Sequence, residues 1–82
     1  MTKKQLLKEW QKLDFELFEN RPETDKPYPP DVVKRREYLL FAEVHLANIL
    51  DAKLKRDKWY ERFETEMYHK VIEIYYNWDK NG

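Results

Sequence analysis

The chain has no cysteine and no serine, one glycine at its last position, Gly82, and prolines only from Pro22 to Pro30. Without cysteine there are no disulfide staples, thiolate metal sites or cysteine nucleophiles, and the expectation leans toward a cytoplasmic setting. Without serine there is no serine catalysis, and the scarcity of both serine and glycine argues against flexible linkers and disorder. Sixteen basic and sixteen acidic side chains cancel, so the strong net field of a dedicated nucleic-acid binder is missing. The longest purely apolar run is Tyr38 to Ala42. No signal peptide or membrane span can be built from that, and no membrane partner is expected.

What is present reads as one helical domain covering residues 1–82. An 82-residue chain lies near the size where a single core is only marginally sufficient, so extra burial by association is a natural expectation. Thr2-Lys3-Lys4-Gln5 forms a capping box that opens a first helix, about 2–20. Leu6, Trp10, Leu13 and Leu17 recur along it at helical spacing, widened by Leu7 and Phe18. Phe15 points away from that stripe and must either stay exposed or meet a second surface. Residues 21–30, RPETDKPYPP, cannot hold a helix and read as a semi-rigid strap with Tyr28 as its anchor. A polyproline ligand for an aromatic groove is the competing use of the same segment.

The 51 residues from Asp31 to Asn81 contain neither glycine nor proline. A second helix, about 31–54, starts where proline suits a first turn and Asp31 suits its positive end. On a helical wheel Val33, Leu40, Val44, Ala47, Leu50 and Leu54 share one face, while Phe41, Ile49 and Ala52 lie nearly opposite. A helix apolar on two sides belongs between neighbours, which makes this one central. The polar run Lys55-Arg56-Asp57-Lys58 then marks a turn, with Asp57 as N-cap of a third helix, about 58–79. Unbroken from Asp31 to Trp78, the same stretch would make a rod of about 72 Å that needs a second chain to cover it. The fold class expected is therefore an all-α, three-helix bundle in which helices 2 and 3 form an antiparallel hairpin, with dimerisation as a further step.

On the third helix Trp59, Tyr60, Phe63, Met67, Val71, Ile74 and Trp78 fall on one broad face, the expected core side. Tyr68, Ile72, Tyr75 and Tyr76 extend the arc around the flank. Tyrosine and tryptophan are enriched at binding hot spots, so Phe15, Tyr68, Ile72, Tyr75 and Tyr76 are the candidate partner-binding residues.

Other chemistry is thin. Glu66 and His69 have the Glu-x-x-His spacing of di-metal bundles, but the wheel points His69 outward, so no metal site and no cofactor are expected. His45, beside Phe41, Ile49 and Ala52, reads as a hydrogen-bonded histidine within or beside the core. Glu43 stands in the three-four series Arg36, Leu40, Glu43, Ala47, Leu50, Leu54, where leucine would fit. If buried, Glu43 must pair with Arg36, with a lysine of helix 1 or with a partner chain, where it would set the register of a dimer seam; the preferred reading is an edge position with the carboxylate reaching solvent. Residues 31–58 carry seven positive and five negative charges, and residues 59–82 three and five. Within the first set, Lys34, Arg35, Lys53 and Arg56 would be the contacts if nucleic acid were bound.

No pair of carboxylates is spaced for acid and base roles, and the sequence reading is a non-enzyme. It is expected to act as a helical protein-protein interaction module, as a homodimer or as a small adaptor or inhibitor of another protein. The alternative is an accessory protein that associates with nucleic acid.

Overall fold

The computed structural model describes residues 1–20 and 28–81. It contains α1, Lys3–Glu19, α2, Pro30–Leu54, and α3, Lys58–Asn81. Each helix has a local cause. Thr2 accepts from the Gln5 backbone N–H at 3.1 Å while the Gln5 side chain accepts from the Thr2 N–H at 2.7 Å, which completes the capping box. Asn20 closes α1, its side-chain amide donating to the Glu16 carbonyl at 2.8 Å. Pro29 precedes α2 without a side-chain cap, and Pro30 occupies the first turn, where a missing N–H costs nothing.

The turn between α2 and α3 is made without glycine. Asp57 N–H donates to the Ala52 carbonyl at 2.9 Å and Arg56 N–H to the Lys53 carbonyl at 3.2 Å, the pair of bonds that defines a Schellman ending. Its left-handed position is held by Arg56, with φ of 57°. Asp57 Oδ1 then accepts from the Tyr60 N–H at 3.0 Å and caps α3. The chain folds back as a hairpin here, and the unbroken rod is not formed.

Helix α2 is central and packs against both others, along a longer line with α3 than with α1. The core is Leu6 and Leu13 of α1, Leu39, Ala42, Leu46 and Ile49 of α2, and Tyr68 and Tyr75 of α3, with Trp10, Leu17, Tyr38, Val71 and Ile72 packed on it. Two expectations about facing are corrected. On α2 the buried arc is Leu39, Ala42, Leu46, Ile49 and Ala52, whereas Val33, Leu40, Val44, Ala47 and Leu54 are exposed. On α3 the inward residues are Glu64, Tyr68 and Tyr75, whereas Trp59, Phe63 and Ile74 face out. The physical reason is polar pairing, described below: the sides that turn inward are those whose polar groups find partners on a neighbouring helix.

The molecule measures 44 × 25 × 17 Å, with a Cα radius of gyration of 14.1 Å. A compact chain of this length would have about 12 Å. Among the described residues, α1 and α3 cover one side of α2, and the side of Val33, Leu40, Val44, Ala47 and Leu54 stays exposed.

Candidate functional site

The covered side of α2 is organised by polar contacts that link it to both neighbours. His45 Nδ1–H donates to Glu64 Oε2 at 2.5 Å, and Lys53 pairs with Glu61. Glu64 is buried. A carboxylate in that position is tolerated because a charge-assisted partner meets it. Toward α1, Arg36 donates to the Leu17 carbonyl at 2.9 Å, which satisfies one of the orphan groups of a helix C-terminus and places a cation at its negative end. The same guanidinium lies 5.1 Å from the Tyr28 ring centroid. Tyr28 itself is 38 % exposed, so it is not packed down as the strap reading expected. The rest of that segment, 21–27, including its reading as a polyproline ligand, lies outside the described residues.

Helices α1 and α3 are tied by two tyrosines. Tyr68 donates to Glu9 Oε2 at 2.8 Å and Tyr75 to Glu16 Oε2 at 2.7 Å. Both pairs advance by one heptad in the same direction, so the bonds fix α1 parallel to α3 as well as its register. Burial first, then the bond to Glu9, push the Tyr68 hydroxyl well above the usual phenol range. The same causes, with Glu16 as the partner, push Tyr75 up to about 12. Tyr68 is 1 % exposed and Tyr75 is also buried. The expectation that these two tyrosines offer a contact surface is corrected: they are core residues whose hydroxyls have partners. Of the other three candidates, Ile72 packs against the core. Phe15 and Tyr76 remain exposed and come together across an open groove between α1 and α3.

Arg36 and Glu43 do not pair with each other. Glu43 meets Asp14 of α1 instead, and burial first, then the hydrogen bond to Asp14 and its charge, push the Glu43 carboxyl up to about 7. Its Oε1 is buried without a hydrogen-bond partner. Two carboxyl groups brought together share a proton more easily than they both ionise. Both residues face α1, so the expected edge position with the Glu43 carboxylate in solvent is corrected: one of its oxygens is buried beside Asp14, and Arg36 makes a separate contact with the end of α1.

The cations considered for nucleic acid do not converge. Lys53 is held by Glu61, Lys34 lies 3.9 Å from Glu37, Arg35 is half-buried, and Arg56 sits in the turn. His69 is exposed, as the wheel indicated. No group of metal-binding side chains occurs among the described residues, and no described helix is long and apolar enough to cross a membrane.

The surface that stands out is the open side of α2. Val33, Leu40, Phe41, Val44 and Leu54 are all exposed large apolar side chains, with Val44 at 55 % and Leu54 at 67 %. Val33, Leu40, Ala47 and Leu54 recur every seven residues, with Val44 between Leu40 and Ala47, so they form one stripe along the helix. It is interrupted only at Glu37 and Asp51, which occupy the matching intermediate positions. At one edge, Leu50 and Leu7 line a groove of about 240 Å³ with Lys3, Leu6, Trp10 and Leu46. At the α3 end, Trp59 stacks on Phe63 with centroids 5.7 Å apart. Comparison of the chain with protein-family models, curated proteins and solved structures gives no match.

Proposed function

We propose that the chain is a non-enzymatic helical interaction module whose contact surface is the outer side of α2. The observation that carries this reading is the stripe Val33, Leu40, Val44, Ala47 and Leu54, exposed on the central helix of the bundle. Contiguous apolar surface of this kind lowers its free energy by meeting another surface. Among the described residues, the buried polar side chains His45 and Glu64, with Lys53 and Glu61 beside them, are spent on pairing α2 with α3. The nucleic-acid alternative is the weaker one, because Lys53, one of its expected contacts, is already held by Glu61.

The reading is tested by affinity capture with the intact chain and with Leu40→Glu and Val44→Glu variants as bait. The intact chain is expected to retain a protein, its own copy or another, that both variants lose while their helical content is unchanged. Equal retention by all three baits contradicts the assignment of the surface.

A further inference from the structure

We propose that the outer side of α2 is the seam of an antiparallel homodimer, in which the stripe from Val33 to Leu54 lies along the same stripe of a second copy. The proposal rests on the reading of that side as a contact surface and adds the occupant. The four-three spacing of Val33, Glu37, Leu40, Val44, Ala47, Asp51 and Leu54 is what a second helix of the same period interlocks with, side chain into gap. Neither a flat sheet edge nor a small ligand matches a straight stripe of six turns.

A second copy is favoured because the stripe complements itself in one direction. Its two polar interruptions are acids, and each has a lysine about one turn away on its own helix: Lys34 beside Glu37, and Lys55 at 3.0 Å from Asp51. Laid parallel and in register, two copies would stack Glu37 on Glu37 and Asp51 on Asp51 in the middle of the seam, which repels. Laid antiparallel with Val44 opposite the partner's Ala47, Glu37 falls opposite the partner's Leu54 and beside the partner's Lys55, and Asp51 falls opposite the partner's Leu40. Two-fold symmetry makes each of these contacts twice. The small Ala47 leaves room for the opposing Val44, and Val33 reaches the partner's α2–α3 turn, where Trp59 is 74 % exposed.

The exposed apolar side chains of the stripe leave on the order of 400 Å² open per copy, about half of the roughly 800 Å² per partner of a standard interface, and the charged flanks add to it.

The test is sedimentation equilibrium of the full chain over micromolar to sub-millimolar concentration. The intact chain is expected to be a dimer, and Val44→Glu a folded monomer. Glu37→Lys and Lys55→Glu each weaken the dimer about tenfold, and the double variant returns to within about threefold of the original, because only facing residues rescue each other. A dimer in which the two charge changes simply add overturns the antiparallel pairing. A strict monomer overturns self-association. In that case a different protein captured by the intact chain and lost by Val44→Glu keeps the contact-surface reading, whereas a dimer indifferent to Val44→Glu removes both.

Discussion

Leu39 and Leu40 are consecutive residues of the same helix, yet Leu39 is 0 % exposed and Leu40 is 48 % exposed. Both sides of α2 are apolar over much of their length, so hydrophobicity alone does not choose which one the protomer covers. What separates them is the polar company each keeps. The inner side carries His45 and Lys53, which reach Glu64 and Glu61 on α3, and Arg36 at its border reaches the end of α1. The outer side carries Glu37 and Asp51, whose partners are lysines of α2 itself. Burying the inner side therefore gives His45, Lys53 and Arg36 partners on the neighbouring helices, whereas the outer side stays uncovered within the protomer.

The contrast is broken most directly by cavity formation. Leu46→Ala on the inner side is expected to cost about 3 kcal/mol, and Leu40→Ala on the outer side less than about 1 kcal/mol, in urea titrations at high dilution. Similar losses at the two positions would contradict the division of the helix.

Glu43, on the border facing α1, sharpens the comparison through pH. In the folded chain its carboxyl keeps a proton up to about pH 7, whereas the ordinary value is 4.5. The folded state then holds more protons than the unfolded state between those values, so this group makes stability fall as pH rises from about 4.5 to about 7. Glu43→Gln retains a donor toward Asp14 and removes the titration. It is expected to flatten that fall and to raise stability above pH 7 by on the order of 1–2 kcal/mol, less than the full shift because Asp14 is open to solvent. Thermal melts across the pH range check this, and an unchanged pH profile speaks against the pairing.

Smaller effects follow at the neighbouring helix and at the turn. Tyr68→Phe removes a charge-assisted bond but keeps the packing, and a loss of about 1 kcal/mol is expected because Glu9 can be rehydrated. No loss would mean the hydroxyl bond is not part of what fixes α1 on α3. Arg56→Gly relieves a left-handed backbone and is expected to gain about 0.5–1 kcal/mol after the entropy of the added glycine. A loss in the same melts would show that the Arg56 side chain makes a contact worth more than the strain.

The helix boundaries were legible because each has a local signature: Thr2 with Gln5, Pro29 with Pro30, and Asp57 before Tyr60. The hairpin was readable from the polar run at Lys55 to Lys58, although the turn lacks the glycine that usually marks it. The facing of α2 was not. A wheel counts apolar residues, and by that count the stripe from Val33 to Leu54 looks like a core, whereas the inward side is fixed by contacts between residues far apart in sequence. Tyr68 and Tyr75 were misplaced for the same reason: as tyrosines they suit a rim, and their burial depends on Glu9 and Glu16 lying opposite. The matching seven-residue spacings of those two pairs were the available signal.

The central claim is that the outer side of α2 is open in the protomer and closed by a second copy. Because the chain has no cysteine, the thiol introduced by Leu40→Cys reports on that side alone. Its alkylation rate should approach that of a free thiol at high dilution and fall at least about tenfold at concentrations where the dimer forms, as expected when association removes the site from solvent. A rate that stays fast and independent of concentration would contradict the account.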